Sequence, residues 1–511
     1  MQLFSKESPT TNEVASNSRK DLYMLTQIEL LNYKSYRDSI IDFKPITILC
    51  GGNSSGKTAI IKSILLMKQS FEATGSNYLL INGAYTNNGL YANIRRTQPK
   101  ATDDSKMGIS VSFIVDKDSP SYKDICRSIG MLRRKNEFKN FVIHASFQFN
   151  ENPTIPQVGE IESSTITLVS NYANNAAFYS DDSVASRIHM RRSSYSQQYT
   201  ITLEHFPIPL YSKEKSEYPF DYSDQSWGEC TCYFRGMQLV SLYRDQLSKK
   251  STSALPVLYT IFRILASEFD KIEYIGPLRE TPLRQYFLQD VYSAIGVKGE
   301  NTAQYLGQFG STKIQTPLPN SPGPQVVSLN EAVSQWASFL GIEQVSVNTN
   351  NIPGAKITQI MIGEQNIVDV GFGVSQVLPI LVEGLTMAKG NTLILEQPEI
   401  HLHPKMQMDI ADFLVMIAQQ DKHLIVETHS DHIINRLVRR ALEDQSLKER
   451  IGIYFIEKAD DGTSKLTEVH IDENLGIDEA PQGFFDQYAS ETEQILQAGY
   501  KNMKTKRGGR Q

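Results

Sequence analysis

The stretch GGNSSGKT, residues 51–58, limits this chain more than any other feature, because it lies between the apolar run ITILC and the periodic stretch AIIKSILLMKQS. An apolar run of this kind reads as a buried strand, and apolar residues at 60, 61, 64, 65 and 66 suit one face of a helix. Strand, glycine-rich loop and helix in that order, with Gly51, Gly56, Lys57 and Thr58 at the spacing G-x-x-x-x-G-K-[ST], describe a phosphate-binding loop. Glycines let backbone N–H groups converge on phosphate oxygens, so the amides of Asn53, Ser54 and Ser55 are expected to join them. The helix start adds its positive dipole, Lys57 is expected to reach the outer phosphates and Thr58 to hold Mg²⁺. The expected ligand is therefore a nucleotide, with ATP and Mg²⁺ as its usual form.

The carboxylate that completes a Mg²⁺ site belongs at the end of a second buried strand. LILEQPE, residues 393–399, supplies Glu396 there, weighed against a plain capping or ion-paired acid. Gln397 follows it. An amide can orient an attacking water but cannot take its proton at neutral pH, so hydrolysis is expected to be slow. Glu399, two residues further on, is the competing candidate for a general base.

Strands alternating with helices after residue 327 predict a mostly parallel α/β sheet with flanking helices. Between about 100 and 215 the pattern becomes antiparallel and β-rich, while 236–270 has helical spacing. QTPLPNSPGPQ, 315–325, reads as a proline-rich linker.

With 51 Lys and Arg against 57 Asp and Glu, the net charge of −6 gives no global pull on nucleic acid. Local basic groups at Arg133, Arg134 and Lys135, at Arg187, Arg191 and Arg192, and from Lys501 to Arg510 are candidate nucleic-acid contacts, against the commoner reading as solvated faces. No apolar run approaches the roughly 18 residues of a membrane span, and the polar N-terminus lacks a secretory centre, so a cytoplasmic protein is expected. Four scattered cysteines suggest reduced structural thiols.

The early phosphate loop, roughly 310 intervening residues, and then GFGVSQVLP, LILEQPEIHLHP and LIVETHSDHIINRL in quick succession resemble the ABC-type ATPases of the RecF, SMC and overcoming-lysogenization-defect branch. With EQPE and the GFFDQ of 483–487, the chain is also similar to Septu-type and retron-associated ATPases of anti-phage defence. The resemblance implies a signature loop at Gly371 to Gln376, with Ser375 facing the γ-phosphate of a nucleotide on another protomer, although the usual serine–glycine–glycine order is not kept. It implies a switch role for His429, a place for His401 and His403 between protomers, and places near the nucleotide or dimer seam for Lys34 and Arg279.

It further implies a head-to-tail dimer or higher oligomer that regulates a separate nuclease, HNH in type, since no nuclease domain is expected in this chain. A RecF-like repair ATPase and a nucleotide-dependent scaffold are the competing readings. The expected organisation is a polar extension over 1–22, a first ATPase half over 23–98, a β-rich and helical insertion over 99–270, and a return to the core over 271–314. A linker over 315–326, a second ATPase half over 327–490 and a basic tail over 491–511 complete it.

Overall fold

A computed structural model describes residues 24–75, 78–96, 106–128, 138–172, 183–193, 198–209, 220–243, 249–321, 323–352, 355–472, 476–477, 481 and 494–495. Its centre is a six-stranded sheet in the order Ile272–Ile275, Thr392–Glu396, His423–Glu427, Ile46–Gly51, Ile451–Lys458, Ser464–Val469. The first five strands are parallel and the last returns antiparallel. Thr392–Glu396 and His423–Glu427 are buried at every position, which is why their sequences read as unbroken apolar runs ended by an acid.

Alternation along these strands divides the protein into two cores. Leu49, Ile394, Ile425 and Ile456 face the helix Lys57–Glu72 and a large antiparallel sheet. Ile48, Leu393, Leu395, Leu424 and Val426 face the helices Phe372–Thr386, Pro404–Ala418 and Asp431–Glu443. One strand, His423–Glu427, separates the phosphate-loop strand from the strand ending in Glu396.

The antiparallel sheet has ten strands and runs from Gln238–Tyr243 to the hairpin Met24–Tyr33/Tyr36–Asp42. The N-terminal hairpin and the inserted strands thus form one sheet across the division expected at residue 99. Residues 238–243 are a strand, and helix begins at Lys249, because Leu239 is needed in the sheet's core. The helix Lys249–Asp270 then ties this sheet to the phosphate-loop helix, with Phe269 stacked on Phe71 at 4.9 Å and edge-on to Phe113 at 5.4 Å.

QTPLPNSPGPQ is not a linker. It forms a hairpin, Lys313–Pro317 against Pro324–Ser328, whose prolines sit at the ends where no ladder hydrogen bond is lost. Leu318 is buried and the Trp336 indole donates to the Pro317 carbonyl at 3.2 Å, so the segment is packed onto the core. No disulfide joins the four buried cysteines. Among the described residues no helix is long and apolar enough to cross a membrane. Arg133, Arg134, Lys135, the GFFDQ segment and the tail from Lys501 lie outside the described residues.

Candidate functional site

The phosphate loop leaves its strand at Gly51, φ +133°, where a Cβ would run into the carbonyl of Ile456 on the neighbouring strand. It enters the helix at Gly56, φ +118°. A side chain there would meet Ser464, the Ser35 hydroxyl at 3.0 Å and the Tyr36 hydroxyl at 3.1 Å. These neighbours are a brace. The Tyr36 hydroxyl donates to the Gly56 carbonyl at 3.1 Å, and the Ser464 hydroxyl donates to the Ser55 carbonyl and lies 2.6 Å from the Ser35 hydroxyl. Nothing in the sequence tied residues 35, 36 and 464 to the loop.

Asn53 and Ser54 are exposed, whereas Ser55 is buried with no partner for its hydroxyl. The helix has no side-chain cap, which leaves its first amides available to an anion. The Lys57 ammonium folds back onto the carbonyls of Gly51 at 3.1 Å and Gly52 at 2.6 Å, and burial pulls its pKa down. An arriving phosphate gives that ammonium a charged acceptor in place of two neutral ones.

Thr58 does not meet Glu396. Its hydroxyl lies 2.9 Å from both carboxylate oxygens of Glu427, the last residue of the intervening strand. Glu396, level with Glu427 in the parallel register, accepts instead from the Tyr274 hydroxyl at 2.7 Å. Burial raises the pKa of both acids, Glu427 to about 7, with Glu396 adding repulsion. Sequence reasoning missed Glu427 and Tyr274. The signal for Glu427 was present, since LIVE, like LILE at 393–396, ends a buried strand on an acid.

Gln397 adopts φ +47°, with its backbone N–H donating to the Glu427 backbone carbonyl at 2.7 Å. Arg279, 5% exposed, holds this turn: its guanidinium donates to the carbonyls of Glu396 at 2.9 Å, Gln397 at 3.0 Å and Pro277 at 3.2 Å. Arg279 is therefore committed to backbone oxygens, and burial lowers its pKa to about 10. Glu399 accepts the His429 amide proton at 2.6 Å on one oxygen, while the other is buried without a partner. His429 is half-buried, and burial, with the charge of Lys57, lowers its pKa and so favours the neutral imidazole.

Lys34 donates to the Asn88 side chain at 2.7 Å, and burial lowers its pKa to about 8. Ser375 stands four residues into its helix. Its hydroxyl turns back onto the Phe372 carbonyl at 2.7 Å, and the residue is buried. What faces outward at this helix start is Gly371, with open space around it, and Phe372, 42% exposed and edge-on to His401 at 5.1 Å. A Cβ on Gly373 would lie 2.8 Å from the His401 carbonyl, so glycine lets this first turn of the helix pass the His401 turn. The His403 ring accepts from the Lys405 amide as a helix cap.

Among the described residues no group of three or more His, Cys, Asp or Glu side chains is arranged to hold a metal ion. The oxygen donors Thr58, Glu396 and Glu427 nevertheless fit Mg²⁺, a hard cation that takes one or two carboxylates and shares the phosphates of its nucleotide.

The family model described as "AAA ATPase domain" matches residues 24–434, and one described as "Protein of unknown function (DUF3696)" matches residues 448–495. No curated protein matches. Among solved structures, an SMC head domain from Thermotoga maritima aligns at 12% identity over 88% of this chain and 99% of its own, with a TM-score of 0.34. An Smc head domain with an extended coiled coil, bound to the C-terminal domain of ScpA and derived from Pyrococcus furiosus, aligns at 12% identity over 93% and 100%, with a TM-score of 0.36. On the match across residues 24–434, with the strand, phosphate loop and helix that carry it, this chain belongs to the AAA ATPase domain family, a P-loop ATPase fold.

Proposed function

We propose that the protein binds ATP with Mg²⁺ at the loop Gly51–Thr58, hydrolyses it slowly, and uses the bound nucleotide to join copies of itself and govern a partner. Lys57 and the amides of Asn53, Ser54, Ser55 and Gly56 hold the phosphates, Thr58 and Glu396 serve the cation, and His429 senses the outer phosphate. Mg²⁺, when bound, neutralises phosphate charge as the bond to the leaving group breaks.

The observation carrying slow turnover is Gln397. Its peptide is fixed by Arg279, and its side chain is an amide at the place where relatives carry a base. Water can be oriented there, but its proton must go elsewhere. Glu399 is the alternative acceptor, supported by its unpartnered oxygen and opposed by the His429 amide that pins the other.

Association of copies is supported by the open start of the signature helix, where Gly371 and Phe372 face outward. Control of a separate HNH-type nuclease in anti-phage defence rests on the sequence resemblance alone. Copurification of a nuclease with the full chain is the result it requires.

The direct test is ATP turnover and solution mass of the purified chain, with and without ATP and Mg²⁺, in wild type and Lys57→Ala. Little turnover with nucleotide-dependent association, lost in the variant, is expected. Brisk wild-type turnover would overturn the slow switch, and its loss in Glu399→Ala would name the base.

A further inference from the structure

We infer that Glu427 is the residue that makes Thr58 a cation ligand, accepting the hydroxyl's hydrogen bond and adding the site's second negative charge. The inference deepens the function proposed above and rests on it.

A threonine hydroxyl has one proton and two lone pairs, and a cation needs a lone pair. Whatever accepts the proton therefore decides where the lone pairs point. In this protein the acceptor is Glu427, with both oxygens 2.9 Å from the hydroxyl, and the carboxylate is 3% exposed. Burial at the end of a fully enclosed strand leaves that carboxylate little freedom to turn away. Glu396, the acid expected to serve Thr58, lies on a strand one place further from the phosphate loop and is engaged by Tyr274. The two acids are neighbours in register, so Glu427 stands between the loop and Glu396.

Glu427 is thus a positioning residue with a charge, and the charge has two opposite effects. With a divalent cation present, it strengthens the cation's hold and hence that of the nucleotide. Without the cation, the same charge opposes phosphates arriving beside Lys57. A residue that merely supported the fold would affect both conditions alike.

The experiment is equilibrium binding of a fluorescent, non-hydrolysable ATP analogue to the full chain at pH 8, in Mg²⁺ and in EDTA. Glu427→Gln keeps the side chain's size and an oxygen to accept the Thr58 proton but removes the charge. Substitution of a group hydrogen-bonded to a metal ligand weakens metal binding about ten- to a hundredfold. In Mg²⁺ the affinity of the variant is therefore expected to fall on that order, whereas in EDTA it is unchanged or higher.

An equal fall in both conditions, or an undiminished gain from Mg²⁺, overturns the inference. If Glu427→Gln does not fold, Glu427→Asp keeps the charge and draws the carboxylate back by one methylene from the Thr58 hydroxyl; a smaller gain from Mg²⁺, with affinity in EDTA equal to that of wild type, is then expected, and an undiminished gain overturns the inference. Wild-type chain that binds no nucleotide in either condition would overturn the proposed function, and this inference with it. Binding by wild type with an unaltered ratio in the variant would overturn the inference alone.

Discussion

The phosphate loop and the start of the signature helix differ in how far each is finished within the chain. Around the phosphate loop three prominent groups have internal partners, Lys57 on two carbonyls, Thr58 on Glu427, and Gly56 against Tyr36, Ser35 and Ser464, while the Ser55 hydroxyl has none. At Gly371 to Gln376 the polar side chain turns inward, and an exposed phenylalanine and an unobstructed glycine are what remain outside. A loop braced on all sides is preorganised for a small ligand. An open glycine beside an aromatic ring suits a macromolecular surface. Under the proposed function, the difference makes nucleotide binding and association separable, the first resting on one chain and the second on another molecule.

The largest effect expected bears on chemistry between the two regions. Gln397→Glu restores a carboxylate where the turn is already fixed, and general-base catalysis is worth about 10²–10⁴-fold in rate. Turnover should rise on that scale, and only under conditions where copies associate. A rise in dilute, monomeric protein would break the comparison, because the signature region would then be unnecessary. Lys57→Ala comes next. A hydrogen bond to a charged group contributes about 1.5–3 kcal/mol, so ATP affinity should drop about ten- to a hundredfold in a binding titration. Association should be lost along with it.

Phe372→Ala separates the regions from the other side. Truncating an interface aromatic costs about 1–2 kcal/mol or more where it is an anchor. ATP-dependent association, followed by sedimentation, should weaken about tenfold while the affinity of the isolated chain for nucleotide stays as it was. A matching loss of nucleotide affinity would mean that the two regions already communicate within one chain.

The sequence made the phosphate loop legible because its chemistry is local: eight consecutive residues, a strand before and a helix after. The parallel sheet and the place of Glu396 at a strand end were legible for a similar reason, an apolar run ended by a charge, but the acid that meets Thr58 is Glu427. The brace was not, since Ser35 and Ser464 meet across more than four hundred residues through hydroxyls that no periodicity marks. Arg279 was noticed, but sequence gives no direction to a side chain, and its guanidinium turns to carbonyls. The hairpin at 313–328 was misread because prolines mark the end of a strand as readily as a linker.

The smallest effect concerns how the signature helix is mounted. Glu383, in its C-terminal half, lies beside a cavity of about 140 Å³ lined also by Glu273, Tyr305 and Thr386. Burial, with the Glu273 charge adding to it, pushes the Glu383 pKa up to about 8, and Lys422 is pulled down to about 8 by its own burial. A carboxyl with a raised folded-state pKa keeps its proton while the unfolded chain has released it, so stability falls as pH rises between the ordinary glutamate range and about 8. Lys422 acts above that window and with the opposite sign, losing its proton earlier in the folded state. Glu383→Gln should therefore gain thermal stability relative to wild type at pH 8 compared with pH 5.5, measured as the difference between two melting curves at each pH. The fall in stability shown by wild type over the same interval should be shallower in the variant. Nucleotide affinity at neutral pH should not change, because no contact links Glu383 to the phosphate loop among the described residues. An affinity loss in this variant would mean that the helix carrying Phe372 is not an independent platform, and that the open region and the braced one are parts of a single site.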